Sequence, residues 1–308
     1  MTQINYPIGT PGSKWGDAEK AAWLARQSIK RSYAQEVLKK LEPLRETFDI
    51  EQYGALSFDP QRYPLFIARS KAWDSNKPVA LVTGGVHGYE TSGVQGAIRF
   101  MQTSAGEFFD AFNILVAPCV SPWGYETINR WNPQAVDPNR SFKADSGSEE
   151  AQLLMAYVEK VPAMIKVHID LHETTDTDDS EFRPALAARD GVAFTDWGIP
   201  DGFYLVGDTE KPCALFQQAM IQAVEQVTHI APADEKNEII GVKLEQWGVI
   251  NYAARPLGLC MSMTEAPYVT TTEVYPDSPK ADDENCIQAQ IAAVRGGLQH
   301  VVSNLTPP

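Results

Sequence analysis

Cysteine, histidine and positive charge are all scarce in this chain of 308 residues. The four cysteines form no closely spaced pair, which excludes a CxxC metal or redox motif. Lysine and arginine number 26 against 40 aspartates and glutamates, and the net charge of −14 argues against a nucleic-acid or anionic-membrane partner. No apolar run approaches the roughly 18 residues of a membrane span, and the N-terminus lacks a basic segment followed by an apolar one. We therefore expect no membrane span, no signal peptide and a cytoplasmic location.

The rest of the composition is that of a folded globular protein. Hydrophobic residues make up 44% and charged residues 21%, values that exclude wholesale disorder. Large α/β domains often reach this length undivided. Residues 17–48 are rich in helix formers, with apolar side chains at roughly helical spacing. We therefore expect residues 1–50 to form a helical extension packed on one main domain, residues 51–308.

Apolar strands alternate with helices through the main domain. The predicted strands are Tyr53–Phe58, Tyr63–Ser70, Pro78–Val86, Phe112–Val120, Met164–Leu171 and Gly258–Thr264. The predicted helices include Thr91–Gln102, Glu150–Lys160, Lys211–His229 and Ala281–Val302. Such alternation predicts the α/β class, with a mixed, largely parallel central sheet flanked by helices.

Three of the five histidines occur in two short motifs at predicted strand ends. His87 and Glu90 stand in GGVHGYE, directly after a strand, where open α/β sheets build their sites. In KVHIDLHETT, the side chains of His168, Asp170 and His172 share one strand face. His168 lies deeper in the apolar run and is better explained as a core histidine. Two imidazoles, one carboxylate and an open position are the ligand set of a catalytic zinc, so one Zn²⁺ per chain is predicted.

Hydrolysis at a zinc site also needs a base and a group that stabilises negative charge. Glu265, in MSMTEAPY, follows a predicted strand and is a candidate base; an ordinary surface glutamate is the alternative. The loop RWNPQAVDPNR, residues 130–140, carries two arginines and two asparagines. Its arginines could pair with nearby carboxylates or bind a substrate carboxylate through two parallel hydrogen bonds.

The motifs GGVHGYE, RWNPQAVDPNR, DLHET and TEAP, in this order, resemble the zinc carboxypeptidase superfamily, in particular the carboxypeptidase A-like enzymes. The resemblance spans residues 79–267. It implies a three-layer sandwich and makes residues 51–308 a catalytic domain. It further implies a metallopeptidase that removes a C-terminal amino acid from peptides through metal-activated water.

The resemblance also implies roles for individual residues. His87, Glu90 and His172 match the zinc ligands, and Glu265 matches the general base that later acts as an acid. Arg130 matches the arginine that polarises the scissile carbonyl.

Four further roles follow from the same motifs. Asn139 and Arg140 match the pair that holds the terminal carboxylate of the substrate. Asp137 matches the residue that orients His87, because a metal-bound imidazole needs its second nitrogen fixed. Asp170 is expected to support His172.

The chain departs from the family pattern in two places. Tyr252 is the nearest candidate for the mobile tyrosine that closes over substrate, although its spacing is short and Tyr204 and Tyr268 remain alternatives. Arg255 and the sequence DLHETT are similar to the aspartoacylase and succinylglutamate desuccinylase branch. That similarity keeps open an alternative function, hydrolysis of N-acyl amino acids at the same zinc. A relative that binds without turnover is a third possibility.

The acidic segment that follows the last of these histidines also allows two interpretations. Residues 176–181 have the sequence DTDDSE and would ordinarily form a solvated loop. Alternatively, they rim the cleft and favour basic substrates. In either case the expected substrate is a peptide or N-acyl amino acid with a free carboxylate.

Overall fold

A single ten-stranded sheet runs through the molecule. The computed structural model describes residues 6–194 and 198–305. The sheet order is β1-β2-β4-β3-β5-β10-β6-β9-β8-β7. In chain order the strands are β1 (Phe48–Ala55), β2 (Pro64–Ser70), β3 (Val79–Gly84), β4 (Asn113–Ala117), β5 (Ile165–Glu173), β6 (Tyr204–Asp208), β7 (Glu238–Ile239), β8 (Val242–Gln246), β9 (Val249–Tyr252) and β10 (Tyr268–Val274).

The centre of the sheet is parallel and its flanks are mostly antiparallel. Strands β4, β3, β5 and β10 are parallel neighbours, and β6 pairs with β9 in parallel. The other five pairings in the described residues are antiparallel. The α/β class and the mixed sheet are therefore confirmed, but the sheet is less parallel than predicted, because β1–β2 and β7–β8–β9 pair as antiparallel strands at its edges.

Helices cover both faces of this sheet. They are α1 (Asp17–Leu24), α2 (Lys39–Leu41), α3 (Thr91–Thr103), α4 (Pro122–Thr127), α5 (Glu149–Val158), α6 (Arg183–Asp190), α7 (Ala214–Val224), α8 (Ala254–Leu257) and α9 (Asp283–Ser303). Along β4, Ile114 and Val116 pack into the core under α3, α7 and α9, whereas Leu115 and Ala117 pack into the core under α5. This alternation gives the three layers that the resemblance implies.

The N-terminal segment is helical in part, as expected, and packs on the main body. Helix α1 is followed by a π-helical turn at Ala34–Leu38 that continues into α2. Trp23 and Tyr33 are buried. Strand β1 begins at Phe48 and crosses the predicted boundary at residue 50, so the division into 1–50 and 51–308 stays a prediction, and its first five residues lie outside the described chain.

One strand prediction is wrong, and it concerns the site. Residues 258–264 are not a strand: Gly258, at φ +69°, ends α8, and Cys260–Ser262 form a 3₁₀ turn. The strand next to β5 is instead β10, whose sequence YVTTTEV is rich in β-branched residues. No helix in the described part of the chain is long and apolar enough to cross a membrane.

Candidate metal centre

Two histidines and a glutamate meet where β3 and β5 end side by side. His87 and Glu90 lie in the tight turn between β3 and α3, and His172 lies near the end of β5. His87 Nδ1 is 2.8 Å from Glu90 Oε1, and His172 Nδ1 is 2.7 Å from Glu90 Oε2. Three ligand atoms, one from each residue, lie within 4.8 Å of one another, so the three predicted ligands are brought together.

The chemistry of this cluster fits a zinc ion. All three side chains are buried, with exposed fractions of 1–3%. Glu90 Oε2 has no hydrogen-bond partner among the described residues, although His172 Nδ1 is close to it. Burial by itself would raise the pKa of Glu90, but His172 and His87 lower it to about 2, which keeps the carboxylate charged. A buried carboxylate whose two oxygens each face an imidazole nitrogen, one of them without a hydrogen-bond partner, is what a cation would satisfy.

Each imidazole has its Nδ1 near Glu90 and its Nε2 near an aspartate, which fixes the orientation of the ring. Asp137 Oδ1 lies 2.9 Å from His87 Nε2, and Asp170 Oδ2 lies 2.6 Å from His172 Nε2. The Thr83 hydroxyl donates to Asp170 at 2.5 Å. Carboxylates in this position fix the tautomer and leave Nδ1 of each ring free to bind a metal. The structure thus places Asp137 and Asp170 where a supporting role would require them.

A cleft of about 620 Å³ opens above the metal cluster, and the predicted polar residues of the 130–140 loop line it. Arg130 donates through Nε to Asp137 at 3.1 Å and through Nη1 to Asp178 at 3.3 Å. Asn139 and Arg140 follow Asp137 on a 3₁₀ turn that the Asp137 side chain caps through the Asn139 amide. Both of them line the cleft with Arg130.

Glu273 is a further glutamate that faces this cleft, with Glu90 and Glu173. It lies near the end of β10 and is paired in register with His172 on the parallel neighbour β5. The Thr174 hydroxyl donates to Glu273 Oε2 at 2.9 Å. Burial raises the pKa of Glu273 to about 8, with further contributions from the charges of Glu90 and Asp178, while His172 and the Thr174 hydrogen bond oppose the rise. A carboxyl group with a pKa near neutral suits general acid–base chemistry.

The chain was compared with known families and structures. Residues 56–164 match the family model described as Zinc carboxypeptidase. A search of curated proteins with the sequence finds no match. Among solved structures, a presumed metallopeptidase from Shewanella denitrificans superposes with a TM-score of 0.63 at 18% identity, covering 87% of this chain and 88% of that one.

Two metallo-carboxypeptidases share the fold. The enzyme from Burkholderia cenocepacia superposes with a TM-score of 0.61 at 14% identity, covering 88% of this chain and 69% of that one. The enzyme from Pseudomonas aeruginosa, solved with (2-guanidinoethylmercapto)succinic acid, gives 0.59 at 13% identity, covering 87% and 68%. The resemblance to zinc carboxypeptidases is confirmed. The family match supports a zinc hydrolase, and at these identities the structures show the fold.

Two predicted site residues lie outside the cleft. Glu265 precedes β10, at the end of that strand away from His172, and its side chain is 78% exposed. It pairs with Arg255 Nη2 at 2.6 Å and with Lys211 Nζ at 3.2 Å. The sequence predicts Glu265 just after a strand over residues 258–264, whereas the strand is β10 and Glu265 precedes it. Arg255 is committed to the same exposed ion pair and does not line the cleft.

The candidate closing tyrosines and the acidic segment 176–181 lie only in part at the cleft. Tyr252 and Tyr204 both line the cleft, whereas Tyr268 does not and packs against Phe216. From the acidic segment, Asp178 is buried and faces the cleft, where it accepts from the Tyr89 hydroxyl at 2.9 Å. The sequence left open a place for this acidic segment at the cleft rim but did not single out Asp178, while the β-branched pattern before Glu273 could have revealed that residue.

Proposed function

We propose that this protein is a zinc-dependent carboxypeptidase that removes a C-terminal residue from peptides, with Glu273 as the general base. The observation that carries the proposal is the convergence of three groups in one cleft: the cluster His87–Glu90–His172, the carboxyl group of Glu273, and the cations of the 130–140 loop. Metallopeptidase activity of the matched family supports the coarser assignment.

The cleft residues can divide the reaction between them. Zinc, when bound by His87, Glu90 and His172, polarises water and carbonyl oxygen and lowers the pKa of water to about 7. Glu273 takes a proton from water at its carboxylate as the water oxygen bonds to the peptide carbonyl carbon. The same proton then passes from Glu273 to the leaving nitrogen as the C–N bond breaks, which restores the carboxylate.

Arg130 and Arg140 can donate hydrogen bonds to the substrate, one to the oxygen of the scissile carbonyl and the other to the terminal carboxylate. Among the described residues, Arg130 Nη2 forms no hydrogen bond, because the contacts of this guanidinium use Nε and Nη1. We assign Nη2 to the carbonyl oxygen, whose negative charge grows during attack. Arg140 is exposed at the cleft, and we assign its guanidinium, with the Asn139 amide, to the terminal carboxylate.

The alternative, hydrolysis of N-acyl amino acids, has less support. It rested on Arg255 and on the sequence DLHETT, and Arg255 pairs with Glu265 outside the cleft. The zinc cluster itself would serve either substrate class.

The proposal is tested with matched substrates on purified protein depleted of metal and then loaded with zinc. A blocked dipeptide with a free C-terminal carboxylate should be cleaved, and its C-terminal amide should be cleaved far more slowly because it cannot pair with Arg140. Chelation should abolish cleavage and zinc should restore it. Equal rates on acid and amide, or faster hydrolysis of N-acetyl or N-succinyl amino acids than of the dipeptide, would contradict carboxypeptidase function.

A further inference from the structure

Arg31, in the N-terminal segment, contacts the turn that carries the candidate metal ligands His87 and Glu90. Its guanidinium donates through Nη2 to the carbonyl of Gly88 at 2.8 Å and through Nη1 to the hydroxyl of Thr91 at 2.6 Å. Gly88 directly follows His87, and Thr91 directly follows Glu90. One side chain from outside the family match at 56–164 therefore holds both ends of the turn that carries two of the three ligands.

Arg31 is itself fixed in place. Its Nε donates to the carbonyl of Tyr125 at 2.6 Å, and its guanidinium carbon lies 3.5 Å from the centre of the Tyr125 ring. The backbone amides of Lys30 and Arg31 both donate to the carbonyl of Glu126. A guanidinium with a planar set of donors and a stacked face is suited to holding three acceptors in one geometry, which a lysine cannot do.

The turn that Arg31 contacts is packed closely on α4. A Cβ atom added at Gly88 would overlap the backbone of Gly124 and Tyr125, so only glycine fits there. The Tyr89 amide donates to the carbonyl of Asn129 at 3.2 Å, just past the C-terminal end of the same helix. The turn that joins β3 to α3 is therefore packed against α4, and Arg31 links it to the carbonyl of Tyr125 in that helix.

We propose that Arg31 is a positioning residue, which holds the His87–Glu90 turn in the geometry that binds metal. The N-terminal segment would then contribute to the metal site and would not be a passive extension. The proposal rests on the proposed zinc site and concerns a residue that touches neither metal nor substrate. Loss of a group hydrogen-bonded directly to a metal ligand commonly weakens metal binding by about 10- to 100-fold, and we take this range as the upper bound for Arg31, which contacts the residues next to two ligands.

The test measures the zinc dissociation constant by competition with a chromophoric chelator, on folded full-length variants. We expect Arg31→Met to raise the Kd, by at most about 10- to 100-fold, and Thr91→Val to raise it less, because two of the three Arg31 contacts remain. In the double variant the two effects should not add, since both remove the same contact. Arg45→Met is the matched control: Arg45 belongs to the same N-terminal segment but forms an exposed pair with Glu42 at 3.0 Å.

The outcomes separate this proposal from a general effect on folding. A lower melting temperature of the metal-free Arg31→Met variant with an unchanged zinc Kd would overturn it, and so would an equal rise in Kd for Arg45→Met. If Arg31→Met does not fold, the Kd of Thr91→Val decides, and a wild-type value there overturns the proposal. Absence of zinc binding in the wild type would overturn the proposed zinc site, and the role of Arg31 with it.

Discussion

Glutamates lie near both ends of β10, in opposite surroundings. At one end Glu273 is withdrawn into a cleft beside His87, Glu90 and His172. At the other, Glu265 is 78% exposed and pairs with two cations in solvent. Both carboxylates have charged neighbours, so charge alone does not distinguish them. Burial does, because charges in a low-dielectric cleft act strongly on one another while an exposed pair is screened.

The largest expected effect comes from comparing two histidines, one buried in the metal cluster and one in an ion pair at the surface. His172 is 1% exposed in the metal cluster, and His229 is 25% exposed beside Asp201. His172→Ala should lose nearly all bound zinc and activity because it removes one of three ligands. His229→Ala should keep both. Elemental analysis and hydrolysis of a blocked dipeptide measure the outcome. A full zinc complement in His172→Ala would contradict the assignment of His172 as a zinc ligand.

Two arginines extend the comparison to substrate binding. Arg140 lines the cleft, whereas Arg255 belongs to the exposed pair. Arg140→Gln should lower kcat/KM for a free-carboxylate substrate by about 10- to 100-fold, since a hydrogen bond to a charged group contributes about 1.5–3 kcal/mol. Arg255→Gln should leave kcat/KM unchanged. Steady-state kinetics with one substrate compares the pair, and the reverse ranking would favour the N-acyl amino acid alternative.

The dependence of activity on pH should report Glu273. A base acts only when ionised, and burial raises the pKa of this carboxyl to about 8 in the metal-free chain, a value that a bound dication lowers. Activity should therefore rise with pH through that pKa, about tenfold per unit below it, and level off above it. The profile of kcat/KM measures this. A flat profile on the acid side, or the same acid limb in Glu273→Gln, would contradict the assignment.

The smallest expected effect is on stability at the exposed end. Glu265→Ala removes two ion pairs whose acidic partner is largely in solvent. Such pairs contribute at most about 1 kcal/mol each, and commonly less. Urea unfolding should show a correspondingly small decrease in the free energy of unfolding. A loss of several kcal/mol would mean that this end of β10 is more constrained than its exposure indicates.

The cluster of His87, Glu90 and His172 could be predicted from the sequence because the position of each residue depends on local geometry. A short apolar strand followed by glycines places His87 and Glu90 at a strand end, and alternation along KVHIDLH places His172 at another. The parallel pairing of β3 with β5 then brings the two ends together. Each step uses only neighbouring residues and the rule that sites form at the carboxyl ends of parallel strands.

The position of the proposed base, Glu273, could not be predicted from local sequence. Apolar character indicates that a segment is buried but does not show that it forms a strand. The run GLCMSMT is apolar because Cys260 and Met261 are buried, yet it folds as a 3₁₀ turn. The neighbouring YVTTTEV is less apolar and forms the strand. Contacts such as Asp178 with Arg130, or Arg31 with Gly88, join segments far apart in the chain. No local pattern encodes them.

One matched pair of variants distinguishes Glu273 from Glu265 as the proposed base. Glu273→Gln and Glu265→Gln make the same substitution at the two ends of β10. With zinc content confirmed for both proteins, we expect kcat for a blocked dipeptide to fall by about 10²- to 10⁴-fold in Glu273→Gln and to stay at the wild-type value in Glu265→Gln. Wild-type kcat in Glu273→Gln, or a comparable loss in Glu265→Gln, would contradict the assignment of Glu273.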